Sequence, residues 1–269
     1  MANNKTNNKS GVNIGKMLMQ SWSRYSYVFV LLIILIVYAV TINAGGNNFN
    51  SRHITGILSS QNTVIVGTIA IGMALVIITG QIDLSVGSAL VLCTGVTILV
   101  YNMTNGNVFL MILTALAAGL LCGLINGLLV GLAKMPPFIV TLGTMLIYRS
   151  LTLSFVREFD PAYTGSSSSQ FSMLSDMASY DFLRVKFGTG SLKIGNIQLP
   201  YITFLFVALT IFFIFMMSKT KFGKSIYAVG SNEKTSHLTG ISVQWVKVSV
   251  FVITGLLVGV ASFIQACKI

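Results

Sequence analysis

Residues 78–90 read ITGQIDLSVGSAL, and Asp83 within them decides how the surrounding chain is divided. It is the only acidic residue between Met1 and Arg157. The stretch from Val64 to Val100 is otherwise apolar enough for two passes through a bilayer, each needing about 20 residues. A charge at the bilayer centre costs on the order of 3 kcal/mol, so the chain is expected to break at Asp83. Gly80 and Gln81 can end one helix, and Asp83 can serve as N-cap of a second that starts near Leu84. Ser85, Gly87, Ser88 and Ala89 then give that helix a small first turn and a half, open to a close neighbour. Two compatible readings of Asp83 follow. It caps a helix near the cytoplasmic face, or the break it creates lines a transport pathway, as discontinuous helices do.

The rest of the chain fits a membrane setting. Of 269 residues, 54% are hydrophobic and only 9% charged, against about a quarter charged in soluble domains. The apolar runs do not alternate with polar residues, which excludes the strands of a membrane barrel. The expected fold is an all-α integral membrane protein, a polytopic bundle of roughly seven segments near 25–42, 60–80, 84–101, 108–132, 137–156, 199–217 and 246–266. The first run is too long for a signal core and lacks a small-residue cleavage site.

Charge orients the segments. The net charge is +11, but the basic residues flank apolar runs, so no nucleic-acid partner is expected. Lys5, Lys9, Lys16 and Arg24 place the tail 1–24 in the cytoplasm. By crossing parity, 157–198 is then external, and its Arg157, Arg184, Lys186 and Lys193 balance Glu158, Asp160, Asp176 and Asp181. The SSSS run in it suits a flexible loop. The loop 218–245 is internal, with Lys219, Lys221, Lys224 and Lys234 against Glu233 alone. Residues 25–269 thus form one membrane domain.

Other patterns are local. Gly119, Gly123, Gly127 and Gly131 recur every fourth residue, a bare stripe that lets another helix backbone approach. The stripe fits packing within one subunit or a dimer interface, and Gly255 and Gly259 repeat it in the last segment. Arg149 lies about 18 Å along the fifth segment from Pro137, at 1.5 Å per residue. It can snorkel to the outer interface or face a pathway and donate hydrogen bonds there. Thr141, Thr144, Thr152 and Asn126 are either pathway residues or interhelical hydrogen-bonders. Cys93, Cys122 and Cys267 read as packing residues, and neither a metal set nor an organic cofactor is expected.

Four stretches in order resemble the permease subunits of ribose-type ABC sugar importers. They are IDLSVGS (82–88), PFIVTLGTM (137–145), TKFGKSIYAVGSN (220–232) and NEKTSHLTGI (232–241), with ING (125–127) in addition. Lys234-Thr235 departs from the Ala-Ala usual after the Glu. The family pattern also continues past Ile269 with further helices, so the chain resembles a C-terminally shortened member. The resemblance implies a permease for a small monosaccharide such as ribose, galactose or xylose in the bacterial inner membrane, paired with a second permease copy. Its partners would be a cytoplasmic ATP-binding subunit and an extracytoplasmic sugar-binding protein. Gln81, Asp83, Ser85, Ser88, Asn126, Thr141, Thr144 and Arg149 become pathway candidates.

The ATPase would dock on 218–245, through Phe222, Gly223, Ile226, Tyr227, Asn232, Glu233, Leu238, Gly240 and Ile241. A short helix is expected there, capped by Asn232 and ended by Gly240. The alternative for this loop is a basic surface lying on anionic lipid. The chain has no G-x-x-x-x-G-K-[ST] loop, so it is not expected to hydrolyse ATP. An intramembrane enzyme finds no paired acids, His-Glu set or Ser-His pair in the spans. The rival function is a secondary transporter with Asp83 as proton carrier, which lacks a second titratable group in the membrane for a relay.

Overall fold

The computed structural model describes residues 26, 28–38, 40–41, 61–156, 173–194 and 197–269. It divides into two units, 1–54 and 55–269. The first contributes helix α1, Val28–Tyr38, an apolar helix within the expected first segment. The basic tail 1–24 and the stretch 157–172 lie outside the described residues.

The second unit is a bundle of α2 (Gln61–Ile78), α3 (Val86–Met103), α4 (Val108–Gly131), α5 (Pro137–Leu151), α7 (Tyr201–Lys219) and α10 (Val243–Lys268). A π-helical turn, Thr152–Val156, extends α5. Among the described residues, five helices are long and apolar enough to cross a membrane. The most apolar window of α10 is 72% buried and that of α7 only 11%. α10 is therefore the centre of the bundle and α7 its outer wall. α10 packs on α4, α2 and α3. Thr254 Oγ1 on α10 donates to Gly72 O on α2 at 3.1 Å, a cross-helix bond of the kind that joins helices in lipid.

The glycine stripe of α4 meets α10 within the same chain. A Cβ added at Gly119 would run into the backbone of Gly255 and Gly259, and one at Gly123 into Phe251 and Gly255. At Gly127 it would lie 2.9 Å from Val248 O, and at Gly131 2.7 Å from Gln244 O. Gly255 and Gly259 present their own bare backbone in return. Two rows of small residues on facing helices let the backbones approach closely and gain dispersion contact.

The two ends of the bundle differ. At one end lie the α2–α3 break, the α4–α5 turn around Lys134, and two helices within 218–245, the second of them the short helix expected there. These are α8 (Lys221–Ser231) and α9 (Glu233–Leu238). Ile226 and Val229 of α8 pack with Val130, Val140 and Val246 in one cluster. At the other end Tyr101, Met173, Leu183, Ala266 and Cys267 share a second cluster.

Residues 173–194 and 197–198, expected within a flexible loop, are structured instead. They form α6 (Tyr180–Leu183), a π-helical turn (Arg184–Thr189) and an antiparallel hairpin of β1 (Ser191–Ile194) and β2 (Ile197–Pro200). The polar residues that suggest a loop are used as fasteners. Ser179 Oγ donates to Gly106 O at 2.5 Å and pairs with Tyr101 Oη at 3.0 Å. Asn102 Oδ1 accepts from the Leu174 N–H at 3.0 Å.

Candidate functional site

The break at Asp83 is built from both sides. Gly80, at φ 73°, ends α2. Its N–H reaches Ile77 O at 2.9 Å and the Gln81 N–H reaches Val76 O at 3.0 Å. This double closure needs a left-handed residue, a role glycine fills without strain. Asp83 is not the N-cap of α3, contrary to expectation. α3 starts only at Val86, and Ser85 before it has helical dihedrals and makes no side-chain capping bond. Asp83 Oδ1 instead accepts from the Ser85 N–H at 2.9 Å and from Ser85 Oγ at 2.6 Å. The carboxylate therefore closes an Asx-type turn over the break rather than binding the first free N–H groups of the helix.

Asn126 on α4 completes the arrangement. Its Nδ2 donates to Ser85 Oγ at 2.8 Å. Asp83, Ser85 and Asn126 thus form one chain of hydrogen bonds, all of them buried. Asn126 lies five residues before the end of α4, about 7.5 Å into the helix. The break is recessed into the bundle to that depth. Gln81 is buried beside it, with Nε2 on Thr79 O at 3.2 Å. Gln81 Oε1 and Asn126 Oδ1 are buried acceptors that take no hydrogen bond from the described residues.

The remaining pathway candidates separate. Ser88 and Arg149 line one cleft of about 390 Å³, together with Leu84, Gly87, Met145 and Thr152. Thr141 and Thr144 are buried and line no part of it. Their hydroxyls donate to Pro137 O and Thr141 O on their own helix, and Thr152 to Tyr148 O. A helical threonine reaches the carbonyl a turn back without any partner helix. The cross-helix bond from α5 comes from Tyr148, whose Oη donates to Cys122 O at 3.2 Å.

The expected docking face also divides by periodicity. Gly223, Ile226 and Val229 of α8 are buried, and Phe222 and Ile241 are partly buried against the core. One face of this short amphipathic helix packs on the protein, which leaves Tyr227 outward at 53% exposure. Leu238 and Trp245 are also exposed, at 86% and 58%. Gly223 sits against the Met216 and Met217 carbonyls, so a side chain there has no room.

Asn232 Oδ1 accepts from the Thr235 N–H at 3.0 Å and caps α9. Gly240, at φ 84°, ends it, with its own N–H on His237 O and that of Ile241 on Ser236 O, both at 3.1 Å. Glu233 is tied down by Lys247 Nζ at 2.6 Å. An open groove of about 1120 Å³ runs between α9, the start of α10 and the Lys134 turn, and Gln81 lines it. Trp245 is the residue of this face that sequence reading passed over. Its signal was a lone large aromatic at the polar start of an apolar helix.

Residues 54–269 match the family model described as branched-chain amino acid transport system / permease component. The chain belongs to this permease family. It is therefore a multi-pass membrane transport subunit of an ATP-binding-cassette system, not an enzyme, with the ATPase in a separate subunit and a substrate-binding protein as a further partner. It is 29% identical to the xylose transport system permease of Escherichia coli K12, over 93% of this chain and 74% of the relative. It is 32% identical to the fructose import permease of Rhizobium meliloti, over 88% and 61%. It is 30% identical to the ribose import permease of Escherichia coli K12, over 89% and 68%. No solved structure matches the chain.

Proposed function

We propose that this permease carries a small monosaccharide across the bacterial inner membrane, driven by ATP hydrolysis in its partner subunit. The observation that carries this reading is the likeness to relatives named for xylose, fructose, galactose and ribose, which spans 88–95% of the chain. Reconstitution of the permease with its ATPase and binding protein in proteoliposomes tests it. Saturable ATP-dependent uptake of one labelled pentose or hexose is expected. Uptake driven by a proton gradient without ATP would favour the secondary transporter and overturn the proposal.

The pathway in this reading runs along the cleft of Ser88, Arg149 and Thr152, between two permease copies. Support comes from position. Arg149 is exposed on the bundle surface about 18 Å into its span, where contact with lipid tails is costly. A water-filled route lined by a second copy removes that cost and leaves the guanidinium free to donate to sugar hydroxyls. Lipid covers outward faces such as that of α7.

The groove end docks the ATPase, through Tyr227, Leu238 and Trp245 at its surface. Residues 1–24 and 218–245 are cytoplasmic and 157–198 external in this reading, as the lysine asymmetry supports. A cysteine at Lys224 is expected to resist an impermeant thiol reagent in intact cells, and one at Asp176 to react. The reverse pattern would invert the topology.

A further inference from the structure

Residues 180–189 carry a pattern that the transport role does not use. Leu183 is buried and Phe187 stacks edge-on against Phe263 of α10, with ring centroids 5.3 Å apart. These two residues fix the segment to the bundle. Phe182 and Val185, three residues apart, point away and are 55% and 53% exposed. Two cations flank them, each over a tyrosine ring. The Arg184 guanidinium is 5.8 Å from the Tyr180 centroid, and Lys186 Nζ is 5.4 Å from that of Tyr201.

Tyr201 opens α7, the least buried of the spans. Below it, Phe204, Leu205 and Ile211 continue an exposed apolar face. The outward patch of the segment therefore joins the wall of the bundle that faces lipid, at the level where that wall ends. Apolar anchors, tyrosines and two basic side chains, set against one exposed acid, Asp181, are at that level the composition of a membrane-interface element. Tyrosine rings suit the headgroup layer because one end is apolar and the other polar.

We propose that residues 180–189 are an interfacial anchor. Phe182 and Val185 enter the border of the acyl chains beside α7, and Arg184 and Lys186 lie among the lipid phosphates. Through Phe187 and Leu183 the anchor holds the adjoining end of α10 at a fixed height in the bilayer. Long cationic side chains at such a border reach the phosphates while their stems stay in apolar surroundings.

A nitroxide placed by Val185→Cys in the full-length permease, in vesicles of phosphatidylethanolamine and phosphatidylglycerol, tests this. The native cysteines are buried and do not compete for the label. Collision with oxygen relative to a water-soluble nickel chelate is expected to be several-fold higher than for a label at Asp176→Cys, an exposed position in the same external segment. A ratio equal to that control would place the patch in water. Inaccessibility to both reagents would mean that another protein surface covers it. Either result overturns the anchor. Phe182→Cys supplies the same readout if the first variant fails to insert, and Arg184→Gln with Lys186→Gln is expected to lower the ratio.

Discussion

Asn126 and Ser85, forty-one residues apart, share a hydrogen bond of 2.8 Å that joins α4 to the turn between α2 and α3. Ser85 Oγ donates in turn to Asp83, so the hydroxyl relays between an amide and a carboxylate. Double substitution tests this coupling. Ser85→Ala and Asn126→Ala are each expected to lower thermal stability in detergent. Their combined effect should fall short of the sum by about 0.6–2 kcal/mol, the range for hydrogen bonds between membrane helices. Full additivity would show that the bond contributes nothing.

Asp83→Asn preserves an acceptor for the Ser85 N–H and hydroxyl. The variant is expected to fold, assemble with the ATPase and keep most of its uptake. Asp83→Leu removes the acceptor and leaves two buried donors unpaired, a loss of about 1–3 kcal/mol. Melting curves and uptake of the two variants decide this. Folded but inactive Asp83→Asn would mean that the charge itself serves transport.

Gly123→Ala and Gly87→Ala form a matched pair. The first sets a methyl against the backbone of α10 and the second meets nothing within 4 Å. Overpacking at Gly123 is expected to destabilise the permease by about 1–3 kcal/mol, whereas Gly87→Ala stays within about 0.5 kcal/mol of the wild type. Equal melting temperatures would remove the role of the stripe in packing.

Surface and core residues of the docking end should separate cleanly. Trp245→Ala and Leu238→Ala are expected to weaken ATPase binding at least tenfold with little change in melting, since both side chains are exposed. Ile226→Ala, fully buried, is expected to cost about 2–5 kcal/mol of stability. Calorimetric titration with the ATPase subunit checks the first pair and thermal unfolding the second. Undiminished binding by the double surface variant would move the docking site elsewhere.

Arg149→Gln is expected to lower uptake at least tenfold while leaving ATPase association unchanged, because its cleft and the docking groove have no lining residue in common. Sugar uptake and binding measured on one preparation decide this. Wild-type uptake would return Arg149 to a snorkelling role.

The helical membrane fold was readable from the chain because bilayer crossing depends on local quantities. Run length, charge and glycine punctuation are properties of neighbouring residues, and lipid forces each span to satisfy its own backbone. The same locality exposed the break at Gly80 and the caps at Asn232 and Gly240. What faces what was not local. Asp83 has the right chemistry for an N-cap, but the turn delays the helix to Val86 and gives Asp83 the N–H and hydroxyl of Ser85 instead. Phe222 and Ile226 have the composition of partner anchors, yet the core beneath α8 takes them and leaves Tyr227, Leu238 and Trp245 outside. The glycine stripe fits any helix that can come close, and only the placement of α10 at the centre of the bundle selects its partner. A sequence specifies which surfaces can be buried; the bundle decides which are, because each helix has few faces and its neighbours compete for them.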